Sequence, residues 1–169
     1  SSQVAVPLLQ GQAWLDWEFA MSDKWFEDIN VGDTIVSPGK TLTEAEIINW
    51  AFQFDPQPFH MDKVAAEEHM YGGLIASGWM LGTHSFRLFL LANPWAADAS
   101  LGSPGIDKLR WIRPVRPGDT IHVEVTITDC RLSASKPDRG VIGMDWRLID
   151  QNGETAMTMR SIQLLRRRP

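Results

Sequence analysis

The sequence predicts an α+β fold in which one long central helix is wrapped by a curved antiparallel β-sheet. Helical patterns occupy the first half of the chain, and long segments that alternate apolar and polar residues occupy the second half. The helix expected from Trp79 to Ala92 carries apolar residues almost all the way round, which is typical of a helix buried in a core. We expect the strands of the second half of the chain to form the sheet that covers this helix.

Composition sets the class of protein. The 169 residues fit one domain, with 44% hydrophobic and 22% charged residues, so we expect a folded globular chain. The net charge of −5 argues against a nucleic-acid partner. The single cysteine, Cys130, excludes an internal disulfide framework and a cysteine-based zinc site, which favours a reducing, cytoplasmic location. No apolar stretch reaches 18 residues, so we expect no membrane span.

The chain divides into an N-terminal arm or extension, residues 1–21, and a folded domain, residues 22–169. The arm shows no clear hydrophobic period. Within the domain, a short strand is expected at Thr34–Val36. A helix should then begin after Thr43, which forms a capping box with Glu46, and it should end before Pro56.

Residues 55–62 are expected to form a rigid loop that contains two prolines, and Asp62 should cap a short helix that follows it. A strand around Trp111 is expected before Pro114. Three long alternating strands then follow, over residues 121–127, 142–148 and 156–164, and the last two are joined by a hairpin turn at 150–153.

One histidine stands in a position suited to chemistry. His69, His84 and His122 fit a helix end, a core helix and the polar side of a strand. His60, however, lies in the proline-rich loop, five residues after Asp55. A carboxylate and an imidazole on a rigid loop can act together on a water molecule as general acid and base. The alternative is that Asp55 only caps nearby backbone N–H groups.

Ser77 and Gly78 stand immediately before the apolar helix. Backbone N–H groups at a helix N-terminus carry partial positive charge and can stabilise an oxyanion, and a glycine allows a ligand to approach the backbone closely. Close packing of the helix on the sheet explains Gly78 equally well. A carboxylate–imidazole pair beside an oxyanion donor would suffice for chemistry next to a carbonyl group.

These segments resemble the MaoC-like dehydratase and (R)-specific enoyl-CoA hydratase family. Residues 54–62 read FDPQPFHMD, residues 72–80 read GGLIASGWM, and residues 113–120 read RPVRPGDT. The similarity extends from about Trp25 to Leu165. It implies a hot-dog fold and a homodimer or higher homo-oligomer with the active site near the subunit interface.

The resemblance also implies an activity and a set of site residues. Asp55 and His60 correspond to the catalytic pair, and Gly78 corresponds to the glycine whose N–H stabilises the enolate. The implied reaction adds or removes water across the C2–C3 bond of an enoyl-CoA thioester, with no metal and no cofactor beyond the CoA of the substrate itself. Gln57, Phe59 and Ser77 differ from the usual family residues, and with Trp79 they are expected to shape the substrate pocket.

Two other functions are compatible with the same residues. A hot-dog acyl-CoA thioesterase would polarise the same carbonyl but direct water to C1, and a non-catalytic acyl-CoA-binding module would bind the thioester without turnover. Any CoA substrate needs cations for its phosphates, and four arginines are candidates: Arg87, Arg110, Arg113 and Arg116.

Overall fold

A computed structural model describes residues 22–169, so the predicted arm at 1–21 lies outside the described residues. Four helices come early in this part of the chain: α1 Glu44–Phe54, α2 Pro58–Met61, α3 Lys63–Glu68 and α4 Gly78–Leu91. Six strands complete it: β1 Thr34–Val36, β2 Lys40–Thr41, β3 Gly105–Trp111, β4 Thr120–Leu132, β5 Arg139–Ile149 and β6 Thr155–Arg166. Short 3-10 turns occur at Phe26–Asp28 and Ala97–Ala99.

The six strands form one antiparallel sheet in the order β1-β4-β5-β6-β3, and β2 also pairs with β4. The predicted α+β class is confirmed. β3 pairs with β6 and stands at one end of the sheet, although it comes first in the chain among the four longest strands. The turn at Asp150–Gly153 joins β5 to β6 as the sequence predicts.

The core lies between α4 and the buried face of the sheet. Met80, Leu88 and Phe89 of α4 are buried. The predicted alternation of β4 and β5 is confirmed, because one face of each strand is buried: Ile121, Val123, Val125, Ile127, Ile142, Met144, Trp146 and Leu148. Phe89 makes ring contacts with Trp95 and Trp146, at centroid distances of 5.1 and 4.6 Å. The contact with Trp146 anchors the C-terminal end of α4 to the sheet.

The expectation that α4 is buried all the way round is wrong for a single chain. Its outer face carries four large apolar side chains that are exposed: Trp79, Phe86, Leu90 and Leu91. Phe86, for example, is 51% exposed. The physical reason is geometric: one sheet can cover only one side of a helix, so within residues 22–169 the apolar residues on the other side of α4 remain exposed.

Element boundaries differ from the prediction in several places, and β4 and β5 are longer than expected. α4 begins at Gly78, one residue early, because Ser77 is its N-cap. The two-proline loop contains the short helix α2, which Pro58 initiates at its first position. β3 ends at Trp111, and the N–H groups of Ile112 and Arg113 both donate to the Ala156 carbonyl just before Pro114.

The capping box of α1 is confirmed and extended by an ion pair. The Glu46 N–H donates to the Thr43 hydroxyl at 3.2 Å, and the Thr43 N–H donates to the Glu46 carboxylate at 3.0 Å. Lys40 Nζ lies 2.8 Å from the other Glu46 oxygen. The hydrogen bond from Lys40, followed by that from the Thr43 backbone, lowers the pKa of Glu46 to about 2.

We expect Glu46→Gln to reduce stability at pH 7 by about 0.2–1 kcal/mol, because glutamine keeps the capping bonds but loses the exposed ion pair. The folded-state pKa of Glu46 lies below its ordinary value, so its contribution is complete above about pH 4.3 and fades as the pH falls towards 2. Urea unfolding of both proteins at pH 7 and pH 3 measures this difference. A gap that is as large at pH 3 as at pH 7 would contradict the ionic origin.

Candidate active site

The end of α1 and the start of α2 place Asp55 and His60 together. Asp55 is the C-cap of α1, and its N–H donates to Ala51. The chain then turns through Pro56, and Gln57 is the N-cap of α2. The His60 N–H donates to the Gln57 carbonyl at 2.9 Å, so one helical turn brings the imidazole back towards the Asp55 carboxylate.

The His60 imidazole is held in one tautomer. Its side chain is almost wholly buried, and Nδ1 lies 2.8 Å from the Ile75 carbonyl oxygen. A carbonyl can only accept, so Nδ1 carries the proton and the neutral ring has its lone pair on Nε2. Nε2 faces Asp55 Oδ2 at 3.4 Å, which exceeds the usual length of a direct hydrogen bond and lets both atoms contact the same water.

Two side chains hold the Asp55 carboxylate. Gln57 Nε2 donates to Oδ1 at 2.7 Å, and the Ser77 hydroxyl donates to Oδ2 at 2.6 Å. Partial burial opposes ionisation of Asp55, but the hydrogen bonds from Ser77 and Gln57, together with the nearby His60, outweigh it and lower the pKa. Asp55 therefore stays ionised at neutral pH, and its oxygens engage side chains and not the backbone groups of a cap.

Ser77 is placed differently from the expectation that it shapes the substrate pocket. It is 1% exposed and lies behind Asp55. Its oxygen accepts from the Trp79 N–H at 3.2 Å, which caps α4, while its hydroxyl hydrogen goes to Asp55. One hydroxyl thus ties the N-terminus of α4 to the carboxylate. Ser77 and Asp55 are 22 residues apart, so no local pattern in the sequence signals this contact.

We expect Ser77→Ala to raise the pKa of Asp55, because the substitution removes the strongest of the hydrogen bonds that favour its charged form. Carboxyl-carbon NMR titration of the Asp55 side chain measures the change. Ser85→Ala is the matched control, since Ser85 is also buried on α4 but donates to the Leu81 carbonyl. An Asp55 titration that is unchanged by Ser77→Ala, or changed equally by Ser85→Ala, would contradict the assignment.

Gly78 contributes a backbone group to the same cleft as Asp55 and His60. It is the first residue of α4, and the first N–H groups of a helix have no acceptor within the helix. The N–H of Gly78 therefore stands at the positive end of a 14-residue helix and is suited to an oxygen that gains negative charge. The structure brings together Asp55, His60 and Gly78 on one cleft, as the resemblance implies.

The cleft has a volume of about 390 Å³ and aromatic walls. Its aromatic walls are formed by Phe59, Tyr71, Trp79 and Trp111. The other lining residues come from the Asp55–His60 loop, the start of α4 and the segments before and after them: Asp55, Gln57, His60, Ile75, Ala76, Gly78, Leu81, Ile112, Arg113, Pro114 and Val115. Phe59 also supports the loop that carries His60, because its ring contacts the His60 ring at 4.4 Å and stacks on His69 at 4.6 Å. Gln57, Phe59 and Trp79 thus lie on the cleft as expected, whereas the roles of Tyr71 and Trp111 were missed.

The other three histidines contact neighbouring protein groups and do not join the Asp55–His60 pair. His69 stacks on Phe59, and His122 lies 3.8 Å from Glu124. His84 contacts the Met80 carbonyl, and burial lowers the pKa of its ring. Within residues 22–169 we find no group of three or more acidic, histidine or cysteine side chains arranged to hold a metal ion. Over the same residues, no helix has the length and hydropathy of a membrane span.

The four arginines considered as partners of CoA phosphates differ in their contacts and in their distance from the cleft. Arg113 lines the cleft, but its guanidinium pairs with the buried Asp150 and lies 3.0 Å from Glu154. Arg116 donates to the Tyr71 carbonyl, and Arg110 donates to its neighbour Leu109. Arg87 lines a separate depression beside α4. The positive charge of Arg113 is therefore already balanced by two carboxylates.

Comparison with known proteins places the chain in a family. A family model described as a MaoC-like domain matches residues 29–143. Protein MaoC of Klebsiella aerogenes is 37% identical over 136 residues, which cover 76% of this chain and 39% of that protein. The chain therefore spans well under half the length of this relative. Nodulation protein N of Rhizobium meliloti is 34% identical over 80 residues, covering 46% of this chain and 50% of that one.

Solved structures agree with this assignment. The MaoC-like dehydratase of Rhodospirillum rubrum superposes with a TM-score of 0.78 at 35% identity, covering 86% of this chain and 99% of that one. The (R)-hydratase of A. caviae superposes with a TM-score of 0.64 at 25% identity, covering 81% and 97%. A Mycobacterium tuberculosis protein described as a double hot-dog fold matches with a TM-score of 0.72 at 18% identity, covering 87% and 45%, which confirms the hot-dog fold. This chain belongs to the family of MaoC-like dehydratase domains.

Proposed function

We propose that the protein is an (R)-specific enoyl-thioester hydratase, acting in either direction on an enoyl-CoA-type substrate. The observation that carries the proposal is the placement of Asp55, His60 and Gly78 on one cleft, with the His60 lone pair and an Asp55 oxygen 3.4 Å apart. Membership of a dehydratase family, with an (R)-hydratase among the similar structures, supports the same reaction.

In this mechanism, one water lies between Asp55 Oδ2 and His60 Nε2. Nε2 takes a proton from the water while the water oxygen bonds to C3 of the enoyl group. The electron pair of the C2–C3 double bond moves to the carbonyl oxygen, where the Gly78 N–H stabilises the enolate. His60 then returns the proton to C2, so that the net change is addition of one water.

The contacts of the two catalytic side chains suit these steps. The Ile75 carbonyl fixes the Nδ1 proton of His60, which keeps Nε2 available as the base. Asp55 remains ionised through Ser77 and Gln57, so its charge can stabilise the imidazolium that forms after proton transfer. The buried position of His60 limits competing contact with bulk water.

The direct test is to incubate the protein with a series of trans-2-enoyl-CoA substrates. We expect loss of the conjugated-enoyl absorbance and formation of the (R)-3-hydroxyacyl-CoA, identified by chiral chromatography. A thiol reagent in a parallel assay detects released CoA. Free thiol without hydration would show a thioesterase, and binding of enoyl-CoA without turnover across the series would show a non-catalytic acyl-CoA-binding protein. Either result would overturn the proposed function.

We further propose that the protein works as a homodimer or higher homo-oligomer that assembles through β3. Among residues 22–169, β3 pairs along one edge with β6, and its other edge is the end of the sheet. Ile106 on this strand is exposed. An uncovered apolar sheet edge is usually paired or protected. Light scattering coupled to size-exclusion chromatography is expected to give at least twice the chain mass. Substituting Ile106→Lys should shift the mass towards one chain, and a monomeric wild type would contradict the proposal.

A further inference from the structure

The indole of Trp111 lies directly against Gly78. A Cβ atom built on Gly78 would overlap the ring of Trp111 at its Cδ2, Cε2 and Nε1 atoms. The ring therefore occupies the space that a side chain would take at the first position of α4. This space is next to the N–H group that receives the substrate carbonyl in the proposed function.

The backbone and a neighbouring ring fix the indole in place. Trp111 pairs with Met157 in the sheet, and the next residue, Ile112, donates to the Ala156 carbonyl at 2.8 Å. The ring of Trp79 meets that of Trp111 edge to face, with 5.4 Å between centroids and 77° between planes. Trp111 is nevertheless 47% exposed, so one side of the ring borders open space.

We propose that Trp111 determines specificity by excluding acyl groups that carry a substituent on C2, the carbon next to the thioester carbonyl. This inference rests on the proposed function. When the carbonyl oxygen meets the Gly78 N–H, C2 is two bonds away from that oxygen. It then lies in the cleft that Gly78 and Trp111 line together with Asp55 and His60, close to the indole that packs against Gly78. A hydrogen on C2 fits beside a flat ring, whereas a methyl group needs the volume that the ring fills.

The selection acts through shape and not through charge. The neighbouring cation on this wall, Arg113, pairs with Asp150 and Glu154, so it offers little net charge to the acyl group. The remaining wall residues are mainly aromatic or aliphatic. One added methyl group in an apolar site changes kcat/KM by about 10–200-fold, which is the range expected for discrimination by Trp111.

The experiment compares 2-butenoyl-CoA with 2-methyl-2-butenoyl-CoA. For the wild type, Trp111→Phe and Trp111→Ala, the quantity measured is the ratio of kcat/KM for the unbranched substrate to that for the branched one. The branched substrate is intrinsically less reactive by a factor common to all variants. A change in the ratio between variants therefore measures how the shape of the cleft affects the choice between the two substrates. We expect Trp111→Ala to lower the ratio by about 10-fold or more, with Trp111→Phe between the two.

Trp50→Phe is the control for loss of an indole, because Trp50 lies on α1 and contacts Phe54, outside the cleft lining. Thermal unfolding and light scattering check that the variants keep their fold and assembly. A ratio that stays the same in folded Trp111→Ala, or that falls equally in Trp50→Phe, would overturn the proposal.

A binding measurement separates this inference from the proposed function. Isothermal titration compares butanoyl-CoA with 2-methylpropanoyl-CoA, two saturated thioesters that cannot be hydrated. We expect the wild type to prefer the unbranched thioester and Trp111→Ala to lose most of that preference. If the wild type shows the preference but hydrates no enoyl-CoA, the proposed function fails while the role of Trp111 in shape selection stands. If neither thioester binds to the wild type, both proposals fail.

Discussion

Asp55→Asn is expected to lower kcat/KM for enoyl-CoA hydration by between about 10² and 10⁴-fold, the usual contribution of general acid–base catalysis. The amide keeps the shape of the side chain and can still accept a hydrogen bond from Gln57 or Ser77. It has no negative charge, however, so it cannot stabilise the imidazolium that His60 becomes after taking a proton from water. The loss should therefore appear in kcat, with little change in the unfolding temperature.

Asp62→Asn is the matched control for this prediction. Asp62 belongs to the same loop, but its carboxylate caps α3 by accepting from the N–H groups of Val64 and Ala65. Asparagine is an equally good N-cap, so activity and stability should both be retained. In the proposed mechanism Asp55 and His60 act on one water, so the double variant Asp55→Asn/His60→Ala should lose scarcely more activity than the more damaging single variant. Near-normal turnover in Asp55→Asn would refute the mechanism.

Gly78→Ala should reduce kcat/KM by about 10²-fold, since displacement of a catalytic group by about 1 Å can cost that much. The new Cβ would overlap the indole of Trp111, so either the ring or the first turn of α4 has to move. Both movements disturb the N–H that meets the carbonyl oxygen. The fold should survive, because the overlap involves only side-chain atoms of Trp111 and not the backbone of the sheet.

Two further variants isolate the cause of that loss. Gly82→Ala lies one turn further along α4, where a new Cβ would meet nothing within 4 Å, and it should retain activity and gain up to about 1 kcal/mol of stability. Combining Gly78→Ala with Trp111→Ala removes the overlap and should restore part of the lost activity towards unbranched enoyl-CoA. Activity in the double variant below that of Gly78→Ala alone would show that the overlap is not the cause.

Local patterns predicted much of the fold. The capping box of Thr43 and Glu46, the end of α1 before Pro56 and the cap of Asp62 on α3 all depend on residues within a few positions of one another. The alternating patterns of β4 and β5 likewise identified their buried faces. The outer face of α4 was misjudged, because an apolar pattern does not show whether the same chain covers the helix.

The proximity of Asp55 and His60 was also predictable from the sequence, because the two residues lie on one short loop, five positions apart. Their supporting contacts were not. The Ile75 carbonyl that sets the His60 tautomer is 15 residues away, and the Ser77 hydroxyl on Asp55 is 22 residues away. Both lie on the buried segment before α4, whose position depends on pairing between Ala76 and Val115.

The sequence by itself determined the α+β class, the presence of most helices and long strands, and the placement of a carboxylate and an imidazole on one loop, because those features arise from interactions along a few turns of chain. Only the tertiary structure decided that Ser77 holds the carboxylate and that Trp111 covers Gly78. Trp111 reaches Gly78 because β3 pairs with β6, the last strand, at the end of the sheet. Contacts of that kind depend on how distant segments pack, and residue type alone does not encode them.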